Sequence, residues 1–362
     1  MTIREIARHA KVSRSTVSAA LRDHHGISLE TRRRIKALAD KLGYRPDPTI
    51  AKVMGAIARH SSDSATSPII LLTDWPVPAP WKKFNLGLKR FYDGMLARTT
   101  ELGYRLDELW LRSRGMSPRR IEQILESRGI EGIAVLNYPE APARLPLNLS
   151  SYASVVVGRA LVQPRLYAID HDHHQGLLEC LNQVALRGYR RPGLILTHDA
   201  HERTMHCWAA AYQYFLSHLA SRDRIPCLLI NLTDAAEVKK WMRTYKPDVI
   251  IGADPALIEL LESIGLKVPE SIGFAALFWR EDAPRAAGID TQDEAQGARC
   301  IDLLIEQMRR NQHGVPNRPE TILFDGFWRN GSTLPVRDTP QPQLITSTNS
   351  PRGSKKRIPS HP

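Results

Sequence analysis

Cysteine is scarce in this chain of 362 residues: Cys180, Cys207, Cys227 and Cys300 are the only four, and none forms a CxxC pair. That pattern excludes a disulfide framework and a paired-cysteine zinc site, and it fits a reducing compartment. Long apolar runs are also missing. Nothing approaches the ~18 to 20 apolar residues that a membrane span needs. The first eleven residues carry Arg4, Glu5, Arg8 and Lys11 where an export signal would turn apolar. The expectation is a cytoplasmic protein with no membrane partner. Catalytic signatures are absent as well: no glycine-rich phosphate loop, GxSxG elbow, HExxH helix or paired carboxylates. An enzyme is therefore not expected, and no cofactor is called for. At 42% hydrophobic and 24% charged residues the composition is that of a globular protein. The length allows two or three domains of about 100 to 150 residues.

What is present in excess is positive charge, with 50 Lys+Arg against 38 Asp+Glu and a net +12. Its distribution is uneven. Residues 1–60 hold 13 bases and 5 acids, and residues 336–362 hold 5 bases and 1 acid, which leaves 32 of each for the middle. Basic ends on a neutral body are the footprint of a polyanion-binding module carried by something else.

Three kinds of segment follow one another. Residues 1–46 read as short helices, 47–60 as a further helix, and 61–67 (SSDSATS) as a polar linker. From 68 to 335 short apolar runs, Ile69–Leu72, Ile133–Leu136, Val155–Val157, Leu194–Leu196, Cys227–Ile230 and Val249–Ile251, alternate with amphipathic stretches. Those stretches are Leu86–Leu102, Pro118–Ser127, Gln175–Leu186 and Pro255–Ile264, and Gly103, Gly129, Gly188 and Gly265 stand where helices stop. Continuous apolar strands alternating with helices predict an α/β body with parallel sheets, and its size predicts two lobes. Residues 336–362 have no periodic apolar pattern and predict a disordered basic tail.

At the amino terminus Thr2 and Glu5 form a capping box, so a helix starts at Ile3 and buries Ile6, Ala7 and Ala10. Ser13 caps a second helix in which Val17, Ala20 and Leu21 face inward and Arg14, Ser15, Ser18 and Arg22 face out. Ser28 caps a third, with Ile35, Leu38, Ala39 and Leu42 as its apolar stripe. Two short helices joined by a tight turn and braced by a third make a helix-turn-helix, whose second helix enters the major groove.

The string TIREIARHAKVSRSTVSAALR, followed by LGYRP, resembles the lactose and galactose repressor (LacI/GalR) family. So do ILESRGIEGIAVL, YAIDHDHHQG, PDVIIGADPALIELLESIGLKVPESIGFA and GIDTQDEAQGARCIDLL in the body. The resemblance implies an all-α headpiece and a hinge helix on a two-lobed body like the periplasmic binding proteins of type I. It implies base reading by Arg14 and Ser15, and phosphate contacts from Ser13, Thr16 and Ser18. Thr2, Arg22, Ser28 and Thr31 are further expected phosphate contacts. Ala19 stands where the family often has a polar residue, so the half-site should differ. In the hinge the family wedges an apolar side chain into the minor groove. Direct alignment puts Val53 there and a one-residue insertion puts Met54 there.

Ligands in such folds sit in the cleft outside the carboxyl ends of the strands. The candidates are Asp74, Trp75, Arg203, Trp208, Asp254, Phe278 and Trp279, with core packing, capping or a surface ion pair as their alternatives. Family members often have Arg at the place of Trp208, Asn at Ala253 and Asp near Ala275 and Ala276, so an ordinary free sugar fits less well. The stretch His171–Asp172–His173–His174 and the series His198, His201, His206 look metal-like in composition, but the first matches a strand end and helix start in the family. No metal is assigned to either. The expected function is that of a homodimeric repressor on a pseudo-palindromic double-stranded operator, controlled by a small, sugar-like effector. The alternative is a small-molecule binding protein whose basic ends attach to nucleic acid or partners without sequence preference.

Overall fold

The computed structural model describes residues 3–13, 16–17, 20, 27–42, 68–82 and 86–337. The hinge (47–60), the linker (61–67) and the tail beyond 337 lie outside the described residues.

In the amino-terminal segment α1 spans Ile3–Ala10 and α2 spans Leu29–Lys41. Between them, residues 16, 17 and 20 are helical. Ile6, Ala7, Val17, Ala20, Ile35 and Ala39 are buried together, with Ala10, Leu38 and Leu42 packed against them. This is the small core that the sequence stripes predict.

The chain divides into two units. The first comprises residues to His171, Glu202–Met205 and Gln292–Phe324; the second comprises Asp172–His201, His206–Thr291 and the residues from Asp325. In the first, β1 (Pro68–Thr73), β2 (Arg105–Trp110), β3 (Gly132–Val135), β5 (Ala153–Val157), β7 (Tyr167–His171) and β13 (Thr321–Phe324) form one sheet. Its order is β13-β7-β5-β3-β1-β2 and every pairing is parallel. A small side pair, β4 (Ala143–Arg144) with β6 (Leu161–Gln163), stands apart from it. The central strands are buried on both faces, as parallel strands covered by helices must be. The covering helices are α3 (Leu86–Glu101), α4 (Pro118–Ser127) and α10 (Asp293–Arg309). At Gly94 of α3 an added Cβ would lie 2.0 Å from the Glu294 carbonyl oxygen, and at Gly297 of α10 one would lie 2.2 Å from that of Phe91. The two backbones touch at these glycines.

The second unit repeats the plan. Its sheet contains β8 (Pro192–Thr197), β9 (Leu228–Ile230), β10 (Val249–Gly252), β11 (Gly273–Ala276), β12 (Ala287–Asp290) and β14 (Phe327–Arg329). The order is β14-β12-β11-β10-β8-β9, parallel except for the antiparallel edge strand β14. Its helices are α5 (His173–Leu186), which leads into β8, and α6 (His198–Arg203, its last two residues in the first unit), α7 (Cys207–Ser217), α8 (Ala235–Tyr245) and α9 (Leu257–Ser263), which follow its strands. Thr333 knits the carboxyl-terminal stretch in. Its Oγ1 donates to the Phe274 carbonyl and accepts from the Ala287 amide, both at 2.9 Å.

Candidate nucleic-acid interface and effector site

The turn after α1 closes when the Val12 amide donates to the Ala7 carbonyl at 3.1 Å, with Lys11 in left-handed backbone (φ 51°). The Ser13 Oγ then accepts from the Thr16 amide at 3.0 Å, so Ser13 caps the second helix. The two hydroxyls are 2.7 Å apart and bonded to each other. Both belong to the amino-terminal turn of this helix, where backbone N–H groups attract phosphate. Ser28 repeats the device: its Oγ accepts from the Thr31 amide at 3.3 Å and donates to Thr31 Oγ1 at 2.8 Å. Arg33 and Arg34 on α2 are exposed, and Arg34 reaches the Ala10 carbonyl at 3.5 Å, tying α2 to α1. Of the DNA candidates, Ser13, Thr16, Ser28 and Thr31 are described. Thr2, Arg14, Ser15, Ser18, Arg22, Val53 and Met54 lie outside the described residues.

In the first body unit Asp74 follows β1 and is paired with Arg112, whose Nε and Nη2 donate to its two oxygens at 3.0 and 3.4 Å. Trp75 donates from Nε1 to the Asn137 carbonyl at 2.8 Å, and Trp110 donates from Nε1 to the Trp75 carbonyl at 2.8 Å. Tyr138 is buried beside them, and its hydroxyl is pushed above the ordinary tyrosine range, first by burial and then by the Asp74 charge. It therefore stays a neutral donor. Thr73 Oγ1, Asn137 Oδ1 and the Tyr138 hydroxyl are buried without a hydrogen-bond partner among the described residues. Such groups cost free energy unless something bonds them. Sequence reading found Asp74 and Trp75 but not Arg112, Asn137 or Tyr138, because β2 and β3 bring those in through register with β1.

In the second unit Trp208 is wholly buried on α7, edge-on to His173 (centroids 5.1 Å) and to Phe278 (4.9 Å). Its indole nitrogen has no hydrogen-bond partner among the described residues. Asp254 accepts from the Ala256 amide at 2.8 Å and binds Arg280 Nη1 through both oxygens at 3.1 Å. Asp254 is thus both a local cap and an ion-pair partner. Arg280 also holds Asp282, at 2.6 Å from Nη2 and 2.9 Å from Nε. That bond keeps the Asp282 carboxyl below its usual range. Trp279 lies under Arg329 (5.4 Å to the ring centroid), and Arg329 pairs with the buried Asp290 at 2.8 Å. Arg203 ends α6, in the Glu202–Met205 stretch that belongs to the first unit, and is half-buried. Ala253, Ala275 and Ala276 are buried and offer no polar side chain. The structure brings Trp208 and Phe278 together and gives Asp254 and Trp279 separate arginine partners.

Residues 2–47 match the family model described as bacterial regulatory proteins, lacI family. The HTH-type transcriptional regulator TreR of Escherichia coli (strain K12) is 28% identical over 141 residues, which is 38% of this chain and 39% of TreR. Among solved structures, the transcriptional regulator CelR in complex with cellobiose is similar at 17% identity and a TM-score of 0.55. The lac repressor dimer bound to operator and the anti-inducer ONPF is similar at 15% and 0.54. Each of these two similarities covers 92% of this chain and 99% of the other. At such identities they show the fold, a helix-turn-helix segment on an α/β body with parallel sheets. The amino-terminal module is therefore similar to the lacI family of bacterial regulatory proteins over residues 2–47, and the body shares the α/β fold of these solved structures.

Proposed function

We propose that this chain is a sequence-specific regulator of transcription, a repressor, that holds a pseudo-palindromic operator as a homodimer in the cytoplasm and answers to a small-molecule effector. The observation that carries the reading is the match over residues 2–47 falling on a helix-turn-helix with a serine-capped second helix. Arg14 and Ser15 read base edges in this scheme, and Ser13, Thr16, Ser28 and Thr31 position the duplex through phosphate. Thr2, Ser18 and Arg22 add phosphate contacts, and Val53 or Met54 enters the minor groove. Regulators of this fold include one in complex with cellobiose, which supports a sugar-like effector for the body. Taken unit by unit, the residues proposed to contact an effector are Asp74, Trp75 and Arg203 in the first, with Tyr138 as an added donor, and Phe278, Asp254 and Trp279 in the second, with the buried Trp208 behind Phe278. No catalysis is assigned.

The test is selection from a random duplex library with the full chain, followed by affinities for the winning and a scrambled duplex at two salt concentrations. A two-fold symmetric site bound about 10³ to 10⁷ tighter than scrambled DNA supports the reading. Binding that depends on salt and not on sequence overturns it in favour of non-specific attachment.

A further inference from the structure

Three of the thirteen histidines, His198, His201 and His206, fall within nine residues on the stretch that leaves β8. His201 is half-buried on α6, and His206 is exposed and is the residue before α7. Between the two helices the backbone takes two consecutive left-handed steps at non-glycine residues, Met205 (φ 51°) and His206 (φ 61°). Such residues are uncommon in this region, and two in a row need a reason. Their effect is to fold the His206 ring back onto that of His201. The ring centroids are 4.4 Å apart with planes tilted by 40°, and the ligand nitrogens lie within 4.8 Å of one another.

We propose that His201 and His206 form a chelating pair for a divalent transition cation of the Ni(II), Cu(II) or Zn(II) class. Two imidazoles suit these borderline ions, whereas Mg(II) and Ca(II) demand a shell of oxygens. Nitrogens bonded to one ion at about 2.0 to 2.1 Å sit at most about 4.2 Å apart. A small rotation of either ring from the present stack achieves that, and the exposure of His206 gives the ion a way in. The remaining coordination positions fall to water or to an anionic donor. The turn exists in the body whatever the amino-terminal module binds, so the site stands independently of the regulatory reading.

Titration of the untagged full chain with Ni(II) and Zn(II), against Mg(II) as control, tests it. The expected result is one saturable equivalent, weakened at least about tenfold by His201→Gln and by His206→Asn, as damage to a ligand set does. Asn tolerates left-handed backbone, so the second variant keeps the turn. His174→Gln, at an exposed histidine outside the pair, leaves the affinity unchanged. Cu(II) loaded at one equivalent should show hyperfine splitting from two nitrogens in its electron paramagnetic resonance spectrum, and fewer in either variant. Absence of saturable binding, an affinity equal in the parent and both variants, or equal binding of Mg(II) overturns the proposal. A thermal melt of each variant separates loss of ligand from loss of fold, and His206→Asn decides alone if His201→Gln unfolds early.

Discussion

Trp208 shows how one side chain carries packing and, in the proposed scheme, specificity. It is fully buried against His173 and Phe278, and its indole N–H is bonded to nothing among the described residues. Truncation to alanine opens a large cavity, so Trp208→Ala should cost about 3 to 5 kcal/mol in denaturant unfolding. Trp208→Phe keeps the aromatic wall and gives up no hydrogen bond, so it should cost under about 1.5 kcal/mol. If the wall shapes the effector site, Trp208→Phe changes effector affinity while that small stability cost holds; unchanged affinity for every bound ligand removes Trp208 from the site. Asp282 gives a pH-dependent test. Arg280 depresses its folded-state pKa, so its contribution is present above the unfolded aspartate value of about 3.9 and is lost as pH falls through the lower folded value. The melting difference between the parent and Asp282→Asn should therefore be seen at pH 7 and shrink below about pH 4. It will be small, since the pair is partly exposed. At this scale the sequence reveals which residues follow an apolar run, as with Asp74, Trp75, Asp254 and Phe278. It does not reveal Arg112, which meets Asp74 from the turn after β2, 38 positions away.

At the level of elements, periodicity and caps were the legible signals. The starts of α2, α4 and α5 carry a serine or aspartate cap, Ser28, Ser117 and Asp172, ahead of an apolar stripe. The stop glycines Gly188 (φ 84°) and Gly265 (φ 90°) take the left-handed backbone that ends a helix. Ser28→Ala removes the bond to the Thr31 amide and should lower headpiece stability by about 1 kcal/mol, measured as a drop in its melting temperature. The predicted apolar runs fall on β1, β3, β5, β8, β9 and β10 and leave the other described strands unmarked; β2 and β7 show why. β2 is an edge strand whose residues Arg105–Trp110 mix polar and apolar side chains with little burial, so no apolar run marks it. β7 carries Asp170 and His171 in buried positions, held by Arg159 at 2.8 Å and by the Phe324 carbonyl at 3.0 Å. Buried polar residues break the hydrophobic pattern because their partners come from elsewhere in the fold. α10 also escaped; where it crosses α3, Gly297 and Gly94 let the two backbones meet. Gly297→Ala drives a methyl into the Phe91 carbonyl, so it should destabilise the first unit by about 1 to 3 kcal/mol, although alanine is the better helix former.

For the whole molecule the governing quantity is where the charge lies. Residues 1–60 carry a net +8, residues 61–335 carry none, and residues 336–362 carry +4. Phosphate attraction scales with the bases that displace counterions, at about 0.9 in the slope of log affinity against log salt for each phosphate neutralised. A fragment lacking residues 1–60 should therefore lose operator binding and most of its affinity for scrambled duplex, keeping only what the +4 of residues 336–362 supplies, because residues 61–335 are electrically balanced. That fragment keeps both units with their sheets and apolar cores, so it should stay folded. By sedimentation it should also stay dimeric if the proposed homodimer is held by the body; a monomer would place the dimer contacts in residues 1–60. Removal of residues 338–362 should act differently. It takes away Arg352, Lys355, Lys356 and Arg357, which can alter the salt slope but carry no base readout. The preference for the selected site over scrambled duplex should survive this truncation, with the slope reduced by no more than about 0.9 for each base lost. Loss of the preference itself would place base recognition in the tail and not in the helix-turn-helix, against the assignment of Arg14 and Ser15.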